Sequence, residues 1–257
     1  QTSLKICQDR HLEKSFSRDA GVMTADYHVV NSVDEAITAF EALGGNGILK
    51  TRRDGYDGHG QRRLKPEDSP VQAFEDLREA PCVLEALVPF AGEMSVIVAR
   101  RADGEMATFE PAENIHKNGI LHISRAPSCY AEETKQAAIE AAKKLAEALG
   151  HVGVMACEFF VLESGEILLN EIAPRVHNSG HWTPEACITG QFEQHIRAIV
   201  GWPLGSTDRL MDVEMENLLG DDVMKAYGSA GPGDMITLYG KREMRAGRKM
   251  GHIVRKL

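Results

Sequence analysis

The alternation of apolar and polar positions divides the chain into helical and extended stretches in turn. Residues 9 to 20, "DRHLEKSFSRDA", predict a helix stopped by Gly21, followed by extended "DYHVV". "SVDEAITAFEALGG" predicts a second helix: Ser32 and Glu35 have capping-box spacing, apolar residues recur at helical intervals, and paired glycines end it. Extended "GILK", the glycine-rich turn "RRDGYDGHGQ", a short helix from Pro66 to about Glu79, and strands "CVLEALV" and "GEMSVIVAR" follow. A further strand pair near 106–110 and 120–125 flanks "PAENIHKNG", and the longest helix spans 131–150, rich in strong helix formers and closed by Gly150. "VGVMACEFFVLESGEILLNEIAPR" predicts a β-hairpin around Ser164-Gly165. "EACITGQFEQHIRAIVG" predicts one helix running through Gly190, with Ile188, Phe192, His195, Ile196 and Ile199 on a common stripe. No internal repeat or low-complexity linker interrupts this order. The pattern implies an α+β fold of mostly antiparallel strands in two lobes.

Composition narrows the function. With 257 residues, 43% of them hydrophobic, the chain can bury the core of one large domain or two modest ones. A net charge of −9, from 38 acids against 29 bases, argues against a general nucleic-acid or membrane-surface binder, so any anionic ligand must be met by local bases. The five cysteines are widely spaced with no CxxC, which suggests neither a disulfide framework nor a zinc ribbon and fits a reducing cytoplasm. No apolar run approaches the roughly 20 residues of a membrane span. The opening "QTSLKICQDR" lacks both a signal-peptide layout and an initiator methionine, so a missing beginning is expected.

Five segments carry candidate chemistry. A two-residue loop at Ser164-Gly165 would set Glu163 opposite Glu166, Leu162 opposite Ile167 and Glu158 opposite Glu171. Opposed carboxylates repel unless something positive sits between them, and Mg²⁺ (or Mn²⁺) takes such oxygen ligands; the alternative is a glutamate exposed at a strand edge. "LKTRRDGYDGHGQ" places Lys50 at a strand end and Gly55, Gly58 and Gly60 in a loop suited to phosphate oxygens, although a plain hairpin loop would read the same way. "VLEALVPFAGEMS" holds Glu85 and Glu93 around a connector that suits a ribose and an adenine edge, or is merely a solvated hinge. "KREMRAGRK" gathers Lys241, Arg242, Arg245, Arg248 and Lys249 in an acidic protein, as an anion site or a basic face. In "NEIAPRVHNSGHWTPE", Pro174 and Gly180 argue against a helix, so His177 and His181 do not form a helical zinc pair. The segment predicts a loop that aims Arg175, His177 and Asn178 at the reacting groups, with His181 bracing it.

Taken in order, these pieces resemble the ATP-grasp fold. "GYDGHGQ", "ENIHKNGI", "GHVGVMACEFF", "NEIAPRVHNSGHWT", "QFEQHIRAI" and "RAGRKMGHI" resemble the 5-(carboxyamino)imidazole ribonucleotide synthetase family, ATP-dependent carboxylating enzymes of microbial, fungal and plant purine biosynthesis. The resemblance runs from about Leu4 to His252. It implies that Lys50 and the loop of Gly55, Tyr56, Asp57, Gly58, His59, Gly60 and Gln61 contact the ATP phosphates. Glu85, Ala86, Leu87 and Val88 would hold adenine, Glu93 the ribose, and His116 would belong to the nucleotide site. Asn170, Glu171 and Glu158 would complete the metal site. Arg175, His177 and Asn178, with Tyr56, Asp57, Lys241 and Arg248, would bind the aminoimidazole ribonucleotide, Arg175 stabilising bicarbonate or carboxyphosphate and His177 orienting it.

The same resemblance implies an ATP-grasp domain over residues 1–200, with a nucleotide-clamping lobe at 47–90, and a small β-rich domain over 201–257. It also implies a homodimer, and leaves room for a hand-off of product to the mutase that follows. Three departures stand out: His59 replaces a frequent arginine, Ala173 replaces the asparagine ligand of many ATP-grasp enzymes, and the family's N-terminal Rossmann-like domain is absent, with one basic nucleotide contact expected from it. That absence keeps a catalytically silent nucleotide-binding module open as a rival, alongside another ATP-grasp ligase.

Overall fold

The structure is a computed structural model that describes residues 2–55 and 59–257. Helix α1 (Thr2–Cys7) leads into α2 (Arg10–Asp19). Asp9 caps α2, its carboxylate accepting from the N–H groups of His11 and Leu12. The small lobe consists of β1 (Tyr27–Val30), α3 (Val33–Ala42), β2 (Gly47–Thr51), β3 (Gln61–Leu64), α4 (Pro70–Asp76) and β4 (Cys82–Glu85). Its antiparallel sheet has the order β1-β4-β2-β3, so the lobe draws in residues well before 47. Ser32 caps α3 as predicted, but Glu35 reaches back to the N–H of Asn31, one residue beyond the usual partner. Helix α4 starts at Pro70, later than Pro66, because Ser69 supplies the cap and proline suits the first helical position. Leu49, Phe74, Leu84, Ala36 and Ala39 close the core of this lobe.

The large lobe runs through β5 (Phe90–Arg100), β6 (Met106–Thr108), β7 (Ala112–Lys117), β8 (Ile120–Ala126), α5 (Glu132–Ala148), β9 (Gly153–Leu162) and β10 (Ile167–Ala173). After a 3₁₀ turn at Asn178–Gly180 come α6 (Thr183–Ala186), α7 (Gln191–Val200), β11 (Val213–Leu219), α8 (Asp222–Ser229), β12 (Met235–Leu238) and β13 (Lys249–Lys256). Nine of these strands form one sheet in the order β10-β9-β5-β7-β8-β11-β13-β12, with β6 also on β5. The last three strands therefore extend the large lobe's own sheet through the β8–β11 pairing. On one face, Ala138, Ala142 and Leu145 of α5 lie against Val96, Val98, Met155 and Phe159. Alanine at every fourth position lets the helix approach the sheet closely. On the other face Trp182 and Ala186 pack on Ile97, Phe109 and Met215.

Two sequence expectations change here. "AENIHK", read as a connector, is strand β7, turning into β8 at Asn118-Gly119, both at positive φ. The helix expected through Gly190 is broken there, because Gly190 has extended backbone and a Cβ on it would lie 2.8 Å from Pro184 Cα. The stripe is also inverted: α7 buries Gln191, Gln194 and Ala198, while Phe192, Ile196 and Ile199 are exposed. No helix among the described residues is long and apolar enough to cross a membrane.

Candidate active site

The site grows out of the β9–β10 hairpin. Its loop is one residue longer than expected: Leu162 N–H donates to Glu166 O, Gly165 N–H donates to Leu162 O, and Gly165 sits at φ 85°. Near the turn the register is therefore shifted, with Val161 opposite Ile167. An irregularity between Leu169 and Glu171 absorbs the shift, and Glu171 ends up opposite Glu158 as predicted. Asn170 is the residue set aside at that bulge.

Glu158, with a side chain 13% exposed, has its carboxyl pushed up to about 8 by burial and by the charge of Glu171. One ligand atom from each of Glu158, Glu171 and His177 lies within 4.8 Å of the others. His177 is buried and its Nδ1 accepts from Ser179 N–H at 3.3 Å, so the proton resides on Nε2, which faces Glu158 Oε1 at 3.4 Å. Burial and the neighbouring Arg175 hold this imidazole neutral, down to about 3. The two carboxylates thus fit a hard divalent cation, and His177 offers an N–H toward them instead of a lone pair.

The nucleotide candidates cluster at the junction of the lobes. Lys50, on β2, donates from Nζ to Glu85 Oε2 at 2.9 Å, and Lys14 Nζ lies 3.3 Å from Glu85 Oε1. Burial alone would raise Glu85, but the two ammonium groups outweigh it and hold the carboxyl down to about 2. Ala86, Leu87 and Val88 form the half-buried connector between β4 and β5, and Ala86 N–H donates to Asp26 O. Glu93 on β5 meets His116 on β7 at 2.7 Å. Burial opposes the charge on His116, yet its hydrogen bond to the Glu93 carboxylate raises the imidazole overall. Of the glycine-rich loop, Gly55, His59, Gly60 and Gln61 flank the end of β2; Gly60 adopts φ 71°, and a Cβ there would meet Thr51 Oγ1 at 2.7 Å. Tyr56, Asp57 and Gly58 lie outside the described residues.

Helix α2 brings in residues the sequence reading did not single out. Arg10 Nη1 lies 3.7 Å from Glu171 Oε2, and buried Glu13 accepts from Ile172 N–H at 2.9 Å. Burial and Glu171 push the Glu13 carboxyl up to about 8. Arg10, Glu13, Lys14 and Ser17 recur at helical spacing, a polar stripe where an apolar one would be normal, and that was the available signal. A cleft of about 450 Å³ is lined by Arg10, Glu13, Arg52, Asp54, Glu171 and Arg175. Arg10 thus stands beside the metal-type carboxylates. A larger cavity of about 830 Å³, between α5 and residues 21–23, contains none of the candidate residues.

On the acceptor side Arg175 is exposed and donates to Val176 O. Lys241 Nζ donates to Lys249 O and stands over the Tyr239 ring, and Arg248 donates to Glu243 O. The charge of Lys249 acts on both Glu158 and His177. The Asn178 amide is engaged with Asn217 through both its oxygen and its nitrogen.

A two-lobed fold with a lysine and glutamate at the hinge and a carboxylate pair on the β9–β10 hairpin defines an ATP-grasp protein. The ATP-grasp domain model matches residues 15–192, and the phosphoribosylaminoimidazole carboxylase C-terminal domain matches 214–255. The chain belongs to the N5-carboxyaminoimidazole ribonucleotide synthase family. It is 51% identical to the Brucella melitensis synthase of that name, over 98% of this chain and 71% of the relative. A crystal structure of an N5-carboxyaminoimidazole ribonucleotide synthetase as its ADP complex superposes with a TM-score of 0.94 at 44% identity, covering 98% of this chain and 68% of that one. The Aspergillus clavatus synthase in complex with ADP and 5-aminoimidazole ribonucleotide superposes with a TM-score of 0.92 at 31% identity, covering 99% and 69%.

Proposed function

We propose that the protein carboxylates 5-aminoimidazole ribonucleotide with bicarbonate at the expense of ATP, giving 5-carboxyaminoimidazole ribonucleotide, ADP and phosphate in purine biosynthesis. The observation that carries the reading is the opposed pair Glu158 and Glu171 placed between the Lys50–Glu85 hinge and the Arg175–His177 loop. Lys50 and the described loop residues Gly55, His59, Gly60 and Gln61 hold the ATP phosphates, with Tyr56, Asp57 and Gly58 assigned the same contact. Residues 85–88 hold adenine, and Glu93, paired with His116, holds the ribose. Glu158 and Glu171, with Asn170 beside them, would hold Mg²⁺, which would neutralise charge on the transferring phosphoryl group.

An oxygen of bicarbonate forms a bond to the γ-phosphorus as the bond to ADP breaks, giving carboxyphosphate. The amine nitrogen of the ribonucleotide then forms a bond to the carboxyl carbon, phosphate leaves, and the amine loses a proton. Arg175, with Arg10 lining the same cleft, offers guanidinium N–H groups to the bicarbonate oxygens, and His177 donates from Nε2 to hold the anion in line. Lys241 and Arg248, with Tyr56 and Asp57, bind the ribonucleotide, and the free state of all five cysteines suits work in the cytoplasm.

Release of ADP measured with ATP and bicarbonate should require the aminoimidazole ribonucleotide. Turnover on glycinamide ribonucleotide with formate, on biotin with bicarbonate, or on no acceptor at all would overturn the reading.

A further inference from the structure

The loop carrying Arg175 and His177 is gripped from two sides. From α7, buried Gln191 accepts from His177 N–H at 2.9 Å and donates to His177 O at 2.7 Å, which fixes the backbone of that residue. From the C-terminal strands the grip is made by side chains. Asn217 Nδ2 on β11 donates to Asn178 Oδ1 at 2.7 Å, and Asn178 Nδ2 donates back to Asn217 Oδ1 at 2.8 Å. Asn217 is 1% exposed and also donates to Leu121 O. The second Nδ2 proton of Asn178 faces His181 Nδ1 at 3.2 Å. Tyr239, just after β12, places its hydroxyl 2.8 Å from His181 Nδ1 and 2.9 Å from His252 Nδ1. A hydroxyl has one proton, so it donates to one ring and accepts from the other. Burial keeps both imidazoles neutral, which this chain of bonds needs.

We infer that Asn217 and Tyr239 are positioning residues, which set the Arg175–His181 loop from the C-terminal strands, and that Asn178 is their handle and not a ligand contact. The inference rests on the function proposed above. An amide whose oxygen and nitrogen already meet a buried partner has little left to offer a substrate, whereas a one-residue lever to His177 transmits any loosening directly.

The test is steady-state kinetics of the intact enzyme. Tyr239→Phe, which removes only the hydroxyl, should raise KM for the aminoimidazole ribonucleotide about tenfold while KM for ATP stays within about twofold and the melting temperature is held. Asn178→Ala and Asn217→Ala should each lower kcat/KM for the ribonucleotide about tenfold, and the double variant should be no worse than either. Additive losses, or a much larger loss for Asn178→Ala than for Asn217→Ala, would return Asn178 to the ligand and overturn the inference. If Asn217→Ala fails to fold, Tyr239→Phe decides: an unchanged ribonucleotide KM sinks the proposal. Wild-type protein that ignores the ribonucleotide would instead refute the underlying function.

Discussion

Glu158 and Glu171 are directly opposed in a hairpin, an arrangement that like charges disfavour unless a proton or a cation intervenes. Burial and Glu171 raise the Glu158 carboxyl from 4.5 to about 8. The folded protein therefore keeps a proton there that the unfolded chain has already released. Stability from this group is complete below about pH 4.5 and is lost as the pH rises through about 8. The melting temperature of cation-free protein should consequently fall between about pH 6 and pH 9, and Mg²⁺ should restore more of it at the higher pH, since binding displaces the proton. Glu171→Gln should abolish this pH-dependent gain and lower kcat by on the order of 10²-fold or more with the fold intact. A Mg²⁺ effect equal at both pH values, or near-normal turnover of the variant, would remove these glutamates from the cation site.

Helix α2 is the element that ties the lobes together. Asp9 caps it and is 3% exposed, and the same carboxylate takes Arg52 at 2.8 Å and Arg53 at 3.2 Å from the end of β2. Glu13 reaches the large lobe at Ile172, and Lys14 reaches Glu85 at the hinge. Removing Asp9 deletes a cap and leaves arginines without their anion. Asp9→Ala should therefore cost about 3 kcal/mol in denaturant unfolding, and Asp9→Asn, which keeps the cap, about half of that. Equal losses for the two variants would show that the ion pairs alone matter, and no loss for Asp9→Asn would show that capping alone does.

Element periodicity also shows where a one-dimensional reading stops. Helix α7 has its apolar residues at regular intervals, yet its glutamines point inward. Gln191 clamps His177, and Gln194 clamps both the N–H and the C=O of Gly205, so buried amides satisfy backbone groups that an apolar side chain would have left unpaired.

At the scale of the molecule, that inversion leaves Phe192, Ile196, Ile199, Val200 and Trp202 each about half exposed or more on a continuous stretch of surface. An apolar face of this kind marks an association surface.

Much of this architecture was legible in the residues. Strong local signals placed α2, α3, α5 and the hairpin, because caps, glycine stops and helix propensity act within a few residues of chain. The Glu158–Glu171 pair was read correctly through two offsetting errors, a loop one residue longer and a bulge that takes up the extra residue. Neither leaves a mark in the apolar pattern, since the two shifts cancel along the strand. The identities of Lys50, Glu85, Arg175 and His177 could be picked out in the chain, but their partners could not. Lys14 meets Glu85, Arg10 nears Glu171, Asn178 binds Asn217 and Tyr239 joins two histidines, all across separations that no periodicity encodes. Residue chemistry and local propensity determined which elements form and which side chains can react. The packing of α2, α7 and the C-terminal strands on one sheet decided which of them meet, because burial and pairing of polar groups are settled only in three dimensions.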